Sequence, residues 1–200
     1  MATPFETYGQ IRLKAVQKAL VNNYFDATVH ETLEEASDHV IDVILPASGA
    51  RSAGFGGSAT LAASNLVPRL KAISSLEVID RNDPSLDPDQ RVDFNRRTLL
   101  TDLFICSSNA VTMDGELVNI DKQGNRVAAI AYGPKKVALL VGRNKIAKDL
   151  HEALARSRNV AAGANAIRLA QDTPCAKTGK CHDCKGESRL CRTIVITQRS

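Results

Sequence analysis

Four of the five cysteines of this chain lie in one short stretch near its end, TPCAKTGKCHDCKGESRLC. Their spacing is Cys175-x5-Cys181-x2-Cys184-x6-Cys191. Two residues between Cys181 and Cys184 let both sulfurs reach one ion, and four thiolates complete a tetrahedral site. We therefore predict that this segment binds a metal, either as a zinc site or as an iron–sulfur cluster. The alternative is four reduced thiols without a metal.

A second candidate site is the stretch GFGGS, which runs from Gly54 to Ser58 between an expected strand and an expected helix. Glycines let the backbone turn tightly, and the helix that follows directs its positive end at the turn. The stretch has neither the Gly-Lys-Ser/Thr of a P-loop nor the spacing of a dinucleotide-binding turn. Gly54, Gly56, Gly57 and Ser58 are therefore candidates to bind a small anion. The alternative is a tight turn in which Ser58 caps the helix.

Polar residues also follow the apolar strand LFIC, at Ser107, Ser108 and Asn109, and Asn119 lies in the next strand-like run. In open α/β sheets, ligands bind beyond the carboxyl ends of the strands. These four residues are therefore candidates to position a small polar ligand, although Ser and Asn are also common in turns. The fifth thiol, Cys106, is predicted to be a buried small hydrophobic residue.

Helices are predicted where apolar residues recur every three or four positions. Thr32 and Glu35 form a capping-box pair at the start of one helix, and Asp87 with Pro88 begins another. A third helix is expected to be interrupted near Gly163. The helical stretches are YGQIRLKAVQKALVNNYF, TLEEASDHVIDVIL, DPDQRVDFNRRTLLTD, RVAAIAY and NKIAKDLHEALARSRNVAAGANAIRLA.

Strands are predicted where apolar residues alternate or form short runs, and Asp114–Gly115 is a turn pair between two of them. The strand-like stretches are YFDATVH, LEVID, LFICSSNAVTMDGELVNIDKQGNR (several strands joined by turns), KKVALLVG and RTIVITQ. Strands and helices therefore alternate along the chain. This order predicts the α/β class, with a mainly parallel sheet between helices in a three-layer α/β/α sandwich.

Composition limits the class of protein. Hydrophobic residues make up 44% and charged residues 24% of the chain, as in ordinary globular proteins. The net charge of +4 is spread without a dense basic block, and aromatic residues make up 4%, so nucleic-acid binding is not indicated. The start, MATPFETYGQIRLKAVQ, lacks the pattern of a signal peptide, and the apolar runs are too short to span a bilayer. We therefore expect a cytoplasmic protein that uses no membrane.

Three of these stretches together resemble the lactate-utilisation (LUD) domain family. They are GFGGSATL, TDLFICSSNAVTMDGELVNIDKQGNRVAAIAYGPKKVALLVGRNKI and the cysteine segment TPCAKTGKCHDC…C. The resemblance extends from about Val40 to Cys191. It implies a single LUD domain over residues 1–200, with the cysteine-rich segment at 173–191. It also implies a NagB/RpiA/CoA-transferase-like fold, the group that includes the sugar-phosphate isomerases.

The resemblance further implies a role. Proteins similar to LutC take part in oxidising L-lactate to pyruvate, together with iron–sulfur partner subunits. We therefore expect a LutC-like component with a small anionic ligand, iron–sulfur subunits as partners, and a homo-oligomeric assembly. Two alternatives stay open: a transferase or ligase acting on a phosphorylated or CoA-linked molecule, and a metal-stabilised binding module without chemistry.

Overall fold

The computed structural model describes residues 3–200, which divide into two compact units. Unit 1 contains the described residues up to Val29, together with Ser108–Val127 and Gly142–Ser200. Unit 2 contains His30–Ser107 and Ala128–Val141. Each unit has its own four-stranded sheet. The predicted single domain over residues 1–200 stays a prediction.

The described helices and strands alternate along the chain, as predicted. The helices are α1 (Pro4–Asn22), α2 (Leu33–His39), α3 (Leu45–Ser48), α4 (Ala59–Ala63), α5 (Leu66–Lys71), α6 (Pro88–Arg97), α7 (Asn125–Ala131), α8 (Leu150–Arg156), α9 (Gly163–Arg168) and α10 (Pro174–Thr178). The strands are β1 (Ser52–Phe55), β2 (Glu77–Ile79), β3 (Leu103–Cys106), β4 (Ala110–Thr112), β5 (Leu117–Asp121), β6 (Lys136–Leu139), β7 (Ile146–Ala147) and β8 (Thr193–Thr197). Short 3-10 turns cover Thr98–Leu100 and Arg143–Lys145, and π turns cover Val40–Ile44 and Ser157–Ala162.

The sheet of unit 2 is entirely parallel, in the order β2-β1-β3-β6. All four residues of β3 are buried, as is typical of a central strand that is covered on both faces. Its side chains pack with those of α5, where Leu66 and Leu70 are fully buried. The α/β class and the mainly parallel sheet are therefore confirmed. Cys106 is buried in β3 beside Phe104 and Ala129, as predicted.

The sheet of unit 1 is mixed, in the order β7-β4-β5-β8. β4 and β5 form an antiparallel hairpin around Gly115, whose φ of 80° belongs to the left-handed region, so the predicted turn is confirmed. β8 pairs antiparallel with β5, and only β7 pairs in parallel. This second sheet was not anticipated, because the hydrophobic pattern of a strand does not state its partner or direction.

The capping residues and the helix interruption predicted from the sequence are mostly confirmed. Asp87 and Gln90 form the full capping box of α6, with N–H···O distances of 2.8 and 2.9 Å. Thr32 caps α2 by accepting from Glu35 N–H, but the Glu35 carboxylate accepts from Glu31 N–H instead of Thr32 N–H. The irregularity predicted near Gly163 is a π turn that ends just before it.

The stretch YFDATVH, in contrast, contains no strand. Its alternation of burial is nevertheless as predicted: Phe25, Ala27 and Val29 are partly buried, whereas Asp26 and Thr28 are exposed. The alternation of apolar residues therefore reflects one partly buried side of an extended segment, which is not hydrogen-bonded to a neighbouring strand.

Gly54 shows how closely β1 packs on the turn before β3. A Cβ added at Gly54 would lie 2.9 Å from the Cβ of Thr98 and 3.2 Å from the Oγ1 of Thr101, and both threonines are buried. We expect Gly54→Ala to destabilise the protein by about 2 kcal/mol through overpacking. Thermal unfolding should show this as a loss of roughly 4–8 °C in Tm.

Gly163→Ala is the matched control, because a Cβ there would have no neighbour within 4 Å. Gly163 begins α9 with helical backbone, so alanine should be neutral or stabilising. An equal Tm for Gly54→Ala and the parent protein would contradict the close packing of Gly54 on Thr98 and Thr101.

Asp102 joins the amino ends of β1 and β3. Its Oδ2 accepts hydrogen bonds from Arg51 N–H at 2.8 Å and Ser52 N–H at 3.0 Å, while Oδ1 pairs with Lys135 Nζ at 2.7 Å. Lys135, these backbone N–H groups and the Ser52 hydroxyl hold the pKa of Asp102 well below its ordinary value of 3.8. The charged carboxylate is therefore favoured in the folded protein.

This pairing predicts a dependence of stability on pH. Because the folded-state pKa is depressed, the contribution of Asp102 is present above the unfolded-state pKa and is lost as pH falls below about 4. We expect Asp102→Asn to lower Tm at pH 7 and to lower it less at pH 3. Asp42→Asn, an exposed position in the same unit, is the control and should change little at either pH. A Tm difference for Asp102→Asn that stays constant from pH 7 to pH 3 would disprove this assignment.

Candidate functional site

The carboxyl edge of the parallel sheet in unit 2 collects most of the predicted ligand-binding residues of that unit. β1 and β3 are parallel neighbours, so the residues that follow them reach the same edge. Gly56 N–H donates to Ile105 O at 3.0 Å, which continues the strand pairing past the end of β1. Gly56, Gly57 and Ser58 therefore lie beside the end of β3, where Ser107 follows Cys106.

Ser58 and Gly54 have visible structural roles. The Ser58 hydroxyl accepts from Leu61 N–H at 3.3 Å and thus caps α4, so the tight β–α turn is present. Gly54 lies inside β1 against Thr98, as described above. A ligand-binding role for either residue stays a prediction.

Arg81 is a residue of this edge that the sequence analysis missed. It lies two residues after the end of β2, and its Nη2 is 2.6 Å from the position that a Cβ on Gly57 would take. Its Nη1 donates to Asn95 Oδ1 at 3.0 Å, which fixes the plane of the guanidinium. A guanidinium directly over a glycine turn is suited to a carboxylate or phosphate, because it offers paired donors and a fixed positive charge. The rule that ligands bind beyond the carboxyl ends of strands (the strand-end rule), applied to β2, could have indicated Arg81.

Lys135 and Lys136 lie at the opposite edge of this sheet. Lys135 pairs with Asp102, and Lys136 is in register with Leu103 at the amino end of β3. The positive charge near the glycine turn therefore comes from Arg81, and these two lysines do not add to it.

In unit 1 the predicted asparagines form a buried polar cluster around Arg126. The Arg126 guanidinium donates to Asn119 Oδ1 at 2.6 Å, to Asn109 Oδ1 at 2.8 Å and to the carbonyl of Ile120 at 2.7 Å. Asp121 lies 3.6 Å from its Nε. Because a guanidinium only donates, it fixes both amide oxygens toward itself. The cluster was not anticipated, since Arg126 occurs in a predicted helix.

The remaining groups of this cluster bond to the backbone. Asn109 Oδ1 also accepts from Ile120 N–H at 2.8 Å, and Asn119 Oδ1 accepts from Asn109 N–H at 3.3 Å. The Ser108 hydroxyl donates to the carbonyl of Ala110 at 2.7 Å. Asn119 is fully buried, and its Nδ2 has no hydrogen-bond partner among residues 3–200. These contacts hold β4 to β5, and ligand binding by Ser108, Asn109 and Asn119 stays a prediction.

Arg156 of α8 reaches the same cluster from the helix side and donates to the carbonyl of Asn109. Burial lowers the pKa of Arg156 below its ordinary value of 12.5. The guanidinium remains charged at neutral pH, because an arginine does not deprotonate in proteins. Two arginines therefore fix the conformation of Asn109.

The four cysteines of the terminal segment line one small cavity in unit 1, with a volume of about 20 Å³. Cys175 lies in α10, whereas Cys181, Cys184 and Cys191 lie in the irregular chain that follows it. The other lining residues are Arg158, Ala162, Thr173, His182, Asp183, Arg189 and Leu190. All four thiols are free, and each residue is partly exposed.

Hydrogen bonds order this segment. Asp183 N–H donates to Cys181 Sγ at 3.4 Å, and the hydroxyl of Thr173 lies 3.2 Å from Cys175 Sγ. His182 Nε2 lies 2.7 Å from the Thr178 hydroxyl, so the hydrogen-bond partner of the imidazole is Thr178. No three His, Cys, Asp or Glu side chains in the described chain already stand in positions that coordinate a metal.

Burial raises the pKa of the Cys191 thiol above its ordinary value of 9.0, and the nearby Cys181 raises it further. Arg189 and Arg158 act in the opposite direction. The pKa of Cys191 therefore reflects both the neighbouring thiols and the neighbouring guanidinium groups.

The fold and these sites together define an α/β protein with a glycine turn at the carboxyl edge of a parallel sheet and a separate cluster of thiols. The model of the LUD domain family matches residues 13–200, nearly the whole chain. The protein therefore belongs to the LUD domain family, which is associated with lactate utilisation. No curated protein and no solved structure matches the chain.

No helix within residues 3–200 is both long and apolar enough to cross a membrane.

Proposed function

We propose that this protein is a LutC-like component of the oxidation of L-lactate, or a related 2-hydroxy acid, to pyruvate. The observation that carries the proposal is the family match over residues 13–200. In this oxidation the substrate loses two electrons and two protons. Iron–sulfur partner subunits would accept the electrons, and the protein would act in the cytoplasm.

The carboxyl edge of the unit 2 sheet supports this proposal, because a 2-hydroxy acid is a small carboxylate. We assign the carboxylate of the ligand to the space beside Arg81 and the glycine turn. The guanidinium supplies paired donors, and the missing side chain of Gly57 lets it lie directly against the turn. Ser107 lies buried at the same edge.

The assignment makes Arg81 the residue whose loss should weaken binding most. We expect Arg81→Gln to weaken the binding of L-lactate and pyruvate at least tenfold, because a charged hydrogen bond contributes about 1.5–3 kcal/mol. Isothermal titration with both acids measures this change. Arg91→Gln is the matched control, since Arg91 is an exposed arginine of α6 in the same unit. Its affinity should equal that of the parent protein.

The same titrations separate the alternative functions. Binding of CoA esters or sugar phosphates, with no response to lactate or pyruvate, would favour the transferase alternative over the proposal. Unchanged lactate affinity in Arg81→Gln would contradict the assignment of the carboxylate site to Arg81. We also propose a homo-oligomeric assembly, which light scattering of the purified protein would test.

A further inference from the structure

The cysteine cavity of unit 1 is separate from the carboxylate site proposed above and does not depend on it. Its four thiols come from α10, from the turn at 181–184 and from the end of the segment at Cys191, and yet they line a single space. At about 20 Å³ that space exceeds the roughly 10–15 Å³ that one water-sized sphere needs. It therefore has room for one ion, and the spacing of the four cysteines matches neither the bacterial nor the plant ferredoxin pattern.

The arginines that line the cavity provide the charge that a metal thiolate site requires. Four thiolates around a divalent cation carry a net charge of −2, which is costly to bury without positive neighbours. Arg158 and Arg189 both line this cavity. The Nε of Arg158 is buried and has no hydrogen-bond partner within residues 3–200. The Asp183 carboxylate lies close enough to interact with Arg158, and thiolates in the cavity would stabilise the guanidinium further.

Arg189 also holds the cysteine loops in place. Its Nε donates to the carbonyl of Cys191 at 2.7 Å, and its Nη1 donates to the carbonyl of Cys184. Its Nη2 pairs with Asp183, whose carboxylate is mostly exposed. One side chain therefore connects two of the four cysteine residues through their backbone.

The turn between Cys181 and Cys184 directs a donor at sulfur. Asp183 has a left-handed φ of 46°, and its N–H points at Cys181 Sγ. Outer donors of this kind orient metal ligands and tune them. This contact therefore holds the Cys181 sulfur in a defined position at the cavity.

We propose that Cys175, Cys181, Cys184 and Cys191 bind one divalent cation of the zinc class as a tetrahedral thiolate site, with Arg158 and Arg189 as positioning residues. Binding deprotonates the four thiols, so one cation enters and four protons leave. The four sulfurs do not yet stand in coordinating positions, so binding would draw them together around the ion. His182 stays outside the set, since its ring contacts Thr178.

The test is metal analysis of the full chain, purified without oxygen from cells supplied with both zinc and iron. We expect about one zinc per chain, with little iron and no acid-labile sulfide. After exchange with cobalt(II), the protein should show the visible bands of a tetrahedral cobalt thiolate. A chain without bound metal, even after incubation with zinc, would overturn the proposal. Iron with sulfide would overturn it in favour of a cluster.

Two variants locate the site. Cys181→Ser/Cys184→Ser should retain less than a tenth of the zinc, whereas Cys106→Ala should retain all of it, because Cys106 lies in β3 of unit 2. If the double variant does not fold, Arg158→Gln replaces it and should weaken zinc affinity about tenfold. Its control is Arg168→Gln, an exposed position in α9. Full zinc occupancy in the double variant, or equal zinc affinity in Arg158→Gln and its control, would also overturn the proposal.

Discussion

Replacing Arg126 with alanine is expected to destabilise the protein by about 3 kcal/mol, the lower end of the cost of breaking a buried charged contact. The guanidinium is about one-tenth exposed and donates to Asn109, Asn119 and the carbonyl of Ile120. Alanine would leave both amide oxygens and the Asp121 carboxylate short of a donor in a buried place. A buried polar group that loses its partner costs more than the hydrogen bond itself contributes.

Thermal or urea unfolding measures the effect of Arg126→Ala, which corresponds to a loss of roughly 6–12 °C in Tm for a chain of this size. Arg126→Lys should recover only part of the stability, because an ammonium cannot reach several acceptors with a planar pair of donors. Arg143→Ala, an exposed arginine of the same unit, is the control. A Tm of Arg126→Ala equal to that of the control would contradict the structural role of the cluster.

Removal of the proposed metal should have an effect of similar size. A ligand that binds only the folded state adds about 4 kcal/mol to stability when its free concentration is a thousand times its Kd. Treatment with a strong chelator should therefore lower Tm by roughly 8–16 °C, and added zinc should restore it. Magnesium should not restore it, because magnesium prefers oxygen ligands.

The double variant Cys181→Ser/Cys184→Ser is the control for metal removal, since its Tm should not respond to chelator or zinc. Cys106→Ala should respond as the parent protein does. A parent protein whose Tm is unchanged by the chelator, while zinc analysis shows the metal gone, would mean that the metal does not stabilise the fold.

The strand-end rule explains how much of the unit 2 site could be predicted from sequence. This rule selected Ser107, the glycine turn before a helix selected Gly56–Ser58, and the parallel pairing of β1 with β3 brings them to one edge. The rule did not select Arg81, because the strand before it is short and its loop resembles an ordinary turn. The proximity of Arg81 to Gly57 depends on the direction of one side chain, which periodicity does not encode.

Unit 1 shows a different limit. The cysteines were identified by type and spacing alone, since thiols are rare and their chemistry is distinctive. Their arginine neighbours were not identified. Arg158 is distant from the cysteines in sequence, and Arg189, although it lies between Cys184 and Cys191, contributes to no motif. Arg126 was missed for the same reason: the buried asparagine pair requires a donor, but the sequence does not say which residue supplies it.

The most direct test of the proposed role is growth on L-lactate. The gene is deleted in the source organism, and the strain is complemented with the parent protein, with Arg81→Gln or with Arg91→Gln. We expect the deletion strain to stop growing on lactate but not on pyruvate, and the parent protein and Arg91→Gln to restore growth while Arg81→Gln does not. Unchanged growth of the deletion strain on lactate would contradict the proposed function.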